Sequence, residues 1–149
     1  MSIEQSIFNR LTDDTKVPDV ARAVKNADST FRISPGIIDE GAAVPNISYE
    51  TENGEPVTHW GGVTGLTRAL ILLNVWDDDY GGAKKLREAI RQGTSGLSRQ
   101  NVGPHFINRI LVKDGGDITY TSPGNAQLRR RGVQMELDIW YVEQAPSPL

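Results

Sequence analysis

Two stretches of this chain alternate apolar and polar positions with a period of two. In Val133–Val142 the residues Val133, Met135, Leu137 and Ile139 share one side, and Gln134, Glu136 and Asp138 share the other. That pattern predicts a half-buried strand closing on Ile139-Trp140-Tyr141. In Thr67–Trp76 the odd positions Ala69, Ile71, Leu73 and Val75 are all apolar, but the even positions mix Arg68, Leu70, Leu72, Asn74 and Trp76. A sheet wet on one side has no use for two leucines there, so Leu70 and Leu72 predict a second covered face or a partner's surface.

Helical spacing appears three times. Ile3, Ile7 and Leu11 lie on one face with Phe8 beside them, and Ser2 with Gln5 three residues on resembles a capping box. The predicted helix runs Ile3–Asp13. A weaker one spans Val17–Lys25, with Pro18 in its first turn. The third, Tyr80–Gln92, buries Ala83, Leu86, Ala89 and Ile90; Asp78 or Asp79 caps it and Gly93 ends it.

Shorter strands are predicted at Phe31–Ser34, stopped by Pro35-Gly36, at Asn46–Glu52 after Pro45, and at His105–Lys113. Asp114-Gly115-Gly116-Asp117 reads as a turn, Ile118–Thr121 as a continuation or separate piece, and Ser122–Asn125 as another turn. Asn53–Gly65, with four glycines and a proline, reads as a long protruding loop in a hairpin joining two strands. The expected fold is α/β of the α+β kind. It has one mainly antiparallel sheet of four to five strands, with Ile3–Asp13 and Tyr80–Gln92 packed on one face. Residues 1–143 form one domain, and 144–149, with two prolines, a disordered tail.

Composition narrows the chemistry. The chain has 149 residues, 38% hydrophobic and 23% charged, with a formal net charge of −3. That acidic balance argues against general affinity for nucleic acid. There is no cysteine, which rules out disulfides, thiolate catalysis and cysteine-held zinc. Nothing reads as a signal peptide, and the longest apolar run, Ala69–Leu73, is far short of a membrane span, so a soluble, non-secreted protein without a membrane partner is expected.

Candidate sites are few. Asp77-Asp78-Asp79 point in different directions from one turn and fit helix capping better than metal binding. His59 and His105, the only histidines, lack zinc-ligand spacing and any nucleophile partner. Gly93-Thr94-Ser95-Gly96 lacks the strand-to-helix elbow of a serine nucleophile, and Gly61–Gly65 matches no phosphate loop. No catalytic residue, metal or cofactor is expected. Arg129-Arg130-Arg131 is the concentrated basic run, suited to a solvated rim, an intersubunit ion pair or a phosphate backbone. Trp60 and Tyr120 fall in predicted loops, where aromatics suit a protein interface.

The order of elements resembles the tail-completion, or tail-terminator, proteins of long-tailed bacteriophages over nearly the whole chain. The residues that carry the resemblance are the N-terminal helix MSIEQSIFNRLTDD, Pro45-Asn46-Ile47-Ser48-Tyr49, and the aromatic-acidic strand end Leu73-Asn74-Val75-Trp76-Asp77. The helix Tyr80-Gly81-Gly82-Ala83-Lys84-Lys85-Leu86 and the closing strand Met135–Tyr141 complete it. The resemblance implies a non-catalytic virion protein of the tail-neck region, assembled in the host cytoplasm. It implies a homo-oligomeric ring, usually a hexamer, that caps the tail tube, stops its polymerisation and meets the head connector or neck protein, with DNA able to pass through the lumen. The interface residues expected are Trp60, Leu70, Leu72, Tyr120, Arg129, Arg130 and Arg131. Two other readings remain: a head–tail connector or neck component, and a small nucleic-acid- or protein-binding module using Arg129–Arg131.

Overall fold

The computed structural model describes residues 2–36, 45–59, 62–122 and 125–143. Within them, the side chains of 53–59, 62–65, 119–122, 125–131 and 143 lie outside the description, as does the predicted tail 144–149.

The order is α1 (Ile3–Leu11), α2 (Pro18–Val24), β1 (Ile33–Pro35), β2 (Asn46–His59), β3 (Gly62–Asp77), α3 (Tyr80–Ser95), β4 (Gln100–Val102), β5 (His105–Ser122) and β6 (Asn125–Glu143). One sheet holds the strands in the order β1-β2-β3-β6-β5-β4. The α+β plan and antiparallel pairing match expectation, and only β1 runs parallel to its neighbour β2. The sheet has six strands rather than four or five. The unforeseen member is the three-residue edge strand β4, too short to show a period, whereas β1 overlaps the short strand expected at Phe31–Ser34.

β3 and β6 form the centre. They pair without interruption from Thr67↔Tyr141 to Asp77↔Arg131. Their odd residues, Ala69, Ile71, Leu73 and Val75 with Val133, Met135, Leu137 and Ile139, are all buried. The helices supply the other half of this core through Ile7, Leu11, Val20, Val24, Leu86 and Ile90.

Local chemistry sets the helix ends. Ser2 Oγ accepts from the Gln5 N–H at 3.2 Å, so half of the capping box forms; the Gln5 amide donates instead to Asn9 Oδ1. α1 stops at Leu11, two residues early, and Thr12 at its C-cap donates its hydroxyl to the Phe8 carbonyl at 2.7 Å. Arg32 satisfies the end of α2, donating to the carbonyls of Ala23 and Lys25 and onward to Pro45. Asp79 caps α3 by accepting from Gly81 N–H at 3.2 Å.

Gly93 does not end α3, which continues to Ser95. Its role is close approach: a Cβ there would sit 2.9 Å from Val17 Cγ1 and 3.3 Å from Leu11 Cδ2. Missing bulk, rather than freedom to turn, is what the position requires.

The predicted turn Asp114–Asp117 is a β-bulge inside one long strand, and Ile118–Thr121 belongs to that strand. A Cβ on Gly115 would meet Gln134 Cβ at 2.6 Å, so the strands close tightly only over glycine. The bulge carries two carboxylates toward α3. Asp114 pairs with Arg91 and, at 3.8 Å, with Arg87; Asp117 accepts from the Tyr80 hydroxyl.

Of the predicted loop Asn53–Gly65, the described residues 53–59 and 62–65 belong to strands rather than to an open loop, with bulges after Glu52 and Pro56 and pairing out to His59↔Gly62; residues 60 and 61 lie outside the described ones. Both hairpins thus outrun the body. β2–β3 extends as a two-stranded arm beyond Thr67↔Tyr141, and β5–β6 as another beyond Asp77↔Arg131, at the opposite end of the sheet.

The second arm leaves the body at Gly132, where a Cβ would lie 2.9 Å from Ile118 Cγ1, Trp76 Cε3 and the Val75 carbonyl oxygen. Backbone cannot yield as a side chain can. Gly132→Ala should therefore cost about 1–3 kcal/mol by overpacking, and lower Tm by roughly 5 °C in a thermal melt. An unchanged Tm would show that the strands separate there at little cost.

Candidate assembly surface

The three helices occupy one face of the sheet, and among the described residues no helix covers the other. Cross-strand register arranges this open face in rows. One row reads Glu50, Leu72, Glu136, Lys113. The next reads Glu52, Leu70, Asp138, Leu111. A third reads Glu55, Arg68, Trp140, Arg109. Directly opposed residues project from the same face, so the described side chains of each row are neighbours; that of Glu55 lies outside them.

The middle of the face is structured by charge. Arg68 holds Asp138 through two bonds, Nε to Oδ1 at 2.9 Å and Nη2 to Oδ2 at 2.8 Å. The Asp138 side chain is only 2% exposed, against 43% for Arg68. Trp140 lies beneath two guanidinium groups, Arg68 at 5.0 Å and Arg109 at 5.5 Å from its ring centre. Leu70 and Leu72 are half-buried beside this cluster. Nearer β1, Trp76 donates from Nε1 to Ser48 Oγ at 3.2 Å and shelters it. The face is amphipathic, with half-shielded leucines and aromatics in a charged frame, which suits association with another protein surface.

The expected interface residues divide. Leu70 and Leu72 sit in adjacent rows on the open face. Trp60 lies outside the described residues. Tyr120, Arg129, Arg130 and Arg131 all fall on the second arm, where Tyr120 pairs with Arg130, Thr121 with Arg129, and Arg131 with both Thr119 and Asp77. Their side chains lie outside the described ones. The backbone brings Tyr120 and the arginines together, away from Leu70 and Leu72.

Arg68, Asp138, Trp140, Arg109 and the acidic β2 residues were not expected from sequence as interface residues. The signal was there in the even positions of each strand, but charge on a strand's polar face reads as solvation until the strands are paired.

The other candidates resolve into structure. His105 is buried, its Nδ1 sharing a 2.7 Å hydrogen bond with Ser6 Oγ and its ring edge-on to Tyr141 at 5.2 Å. With Ser6 2% and His105 1% exposed, no substrate reaches this serine–histidine pair; it ties α1 to β5. Asp77 and Asp79 accept from the N–H groups of Asp79 and Gly81 at the start of α3. Among the described residues no group of three His, Asp or Glu could hold a metal ion. The groove between α2 and α3, lined by Asp19, Ala23, Lys85, Glu88 and Ala89, mixes charges without converging them. Titration is displaced at few points. Burial and, to a lesser extent, Glu4 raise the Tyr49 phenol, while bonds from the Thr15 and Thr30 hydroxyls lower Asp13 and Asp28 in their surface turns.

The sequence matches no protein-family model and no curated protein. In fold it resembles a solved chain from the virion of a native gene transfer agent particle. The two superpose with a TM-score of 0.58 over 93% of this chain and 95% of the other, at 11% identity. The likeness thus spans most of both chains and is one of fold.

Two interactions here have measurable weight. Arg68→Ala strands a buried carboxylate and should cost about 3 kcal/mol in urea unfolding, whereas Arg68→Met with Asp138→Leu should recover most of that loss. Equal losses in the single and double variants would mean that Arg68 acts by packing alone. Ser6→Ala removes a partner of buried His105 and should cost about 1–2 kcal/mol in the same experiment.

Proposed function

We propose that this chain is a structural component of a phage-like virion and that it terminates the tail tube. Several copies, six on the resemblance of the sequence, form a ring on the end of the tube. The ring blocks further addition of tube protein and offers its far side to the head connector or neck protein. DNA passes through the lumen without being read. The role is mechanical, with no bond made or broken.

The observation that carries this reading is the end-to-end fold likeness to a chain of a gene transfer agent virion, covering 93% of this chain and 95% of that one. The sheet face that no described helix covers, with Leu70 and Leu72 half-buried on it, supports it as the kind of surface that repeated self-assembly uses. The two arms extend the subunit in both directions along the strands, as a piece seated between a tube and a connector requires.

The test is mass in solution, followed by tube growth. Light scattering should give about six times the 16.4 kDa chain mass. The protein added to polymerising tube protein of the same virion should shorten the tubes and appear at their ends. A monomer or dimer both alone and beside the tubes, with tube length unchanged, would overturn the reading. Salt-sensitive DNA binding by such a monomer would favour a nucleic-acid module instead.

Leu70→Asp separates assembly from folding. Burial of a leucine contributes on the order of 2 kcal/mol, and here it is expected at the contact with a neighbour or with the loop around Trp60. Circular dichroism should stay native while the oligomer is lost. A chain that unfolds outright would make Leu70 ordinary core.

A further inference from the structure

We infer that the ring closes edge to edge, with the acidic outer edge of β2 in one copy pairing with the basic outer edge of β5 in the next. This rests on the ring reading above and names the surfaces that form it.

Both edges are open. β1 pairs with β2 only from Ile47 to Tyr49, and the Gly36 N–H bonds the Tyr49 carbonyl at 2.9 Å. Beyond Tyr49 no described strand pairs with that side of β2. At the other end of the sheet, β4 covers β5 only from His105 to Ile107. Ser98 Oγ accepts from the Ile110 N–H at 3.3 Å, and from Leu111 onward no described strand follows. A row of unmatched N–H and C=O groups is a template for another strand.

The directions agree. β2, β3, β6 and β5 alternate strictly, so β2 and β5 of one copy run opposite to each other. Two copies facing the same way then meet at β5 and β2 as an antiparallel pair, and the alternation continues across the junction. Four long strands make this possible; an odd number would force a parallel seam. Because the two edges differ, the contact is head-to-tail, the type that closes into a ring when the rotation between copies returns to its start.

Charge selects this partner over others. Glu50 and Glu52 are exposed at the β2 edge, and Arg109 and Lys113 are exposed at the β5 edge. All four project from the open face, because each row there starts on β2 and ends on β5. Among the described residues none of the four forms an ion pair within its own chain. Laid side by side, copies place each glutamate pair against the arginine and lysine of the neighbour. Equal edges, β2 to β2 or β5 to β5, meet with like charges, so the same residues that favour the ring oppose symmetric dimers.

Charge reversal tests this directly. One variant carries Glu50→Lys and Glu52→Lys, making both edges basic; the other carries Arg109→Glu and Lys113→Glu, making both acidic. Each alone should need a roughly 100-fold higher concentration to assemble than the unmodified chain, with circular dichroism unchanged. Mixed one to one they should co-assemble into alternating rings with equal numbers of the two chains, read by native mass spectrometry. Added salt should weaken assembly of the unmodified chain and relieve the block in each single variant. If either variant alone assembles like the unmodified chain, or the two natively folded variants fail to co-assemble, the edges are not the junction, and a ring formed another way still stands. If the unmodified chain forms no ring alone or on tube ends, the ring reading falls and this junction with it.

Discussion

The uninterrupted pairing of β3 with β6 is the contact on which the rest of the molecule depends. It joins two hairpins that are separated in sequence by α3 and would otherwise be marginal ribbons. Its odd side chains form the floor on which all three helices pack, and its even side chains hold Arg68, Asp138 and Trp140 in register. Because a strand turns successive residues to opposite faces, a slip by one residue would exchange core and surface throughout. The buried apolar set fixes one register, and the rows of the open face follow from it.

Much of this was legible in the sequence, for reasons that differ by element. Ser2 and Asp79 announce helix starts because capping is a local transaction between a side chain and an N–H two or three residues away, and Pro18 does so because its fixed φ and missing N–H suit a first turn. The alternation at Val133–Ile139 announces its strand because burial on one face leaves a period of two. Gly115-Gly116 misleads because the same residues serve a turn or a bulge, and only pairing with Gln134 decides between them. Gly93 misleads likewise: its meaning lies in Val17, brought alongside by the packing of another helix. Local signals are sound where the physics is local.

The surface was less legible than the fold. Leu70 and Leu72 stood out because apolar residues on a polar face break a pattern. Arg68 and Asp138 did not, since their bond joins residues seventy positions apart and each fits its own strand as a solvated charge. The contrast between the edges is harder still to read. Glu50 and Lys113 acquire opposite places only when β3 and β6 are set between them.

The arms give the subunit a mechanical character. β3 runs unbroken from one arm into the body, and β6 runs unbroken from the other arm into the same body, in the opposite direction. A pull along the strands that draws the two arm tips apart therefore loads the β3–β6 ladder in shear. Its hydrogen bonds share that force together instead of opening one after another, as they would if the strands were peeled. The subunit resists stretching along the axis on which its arms reach outward.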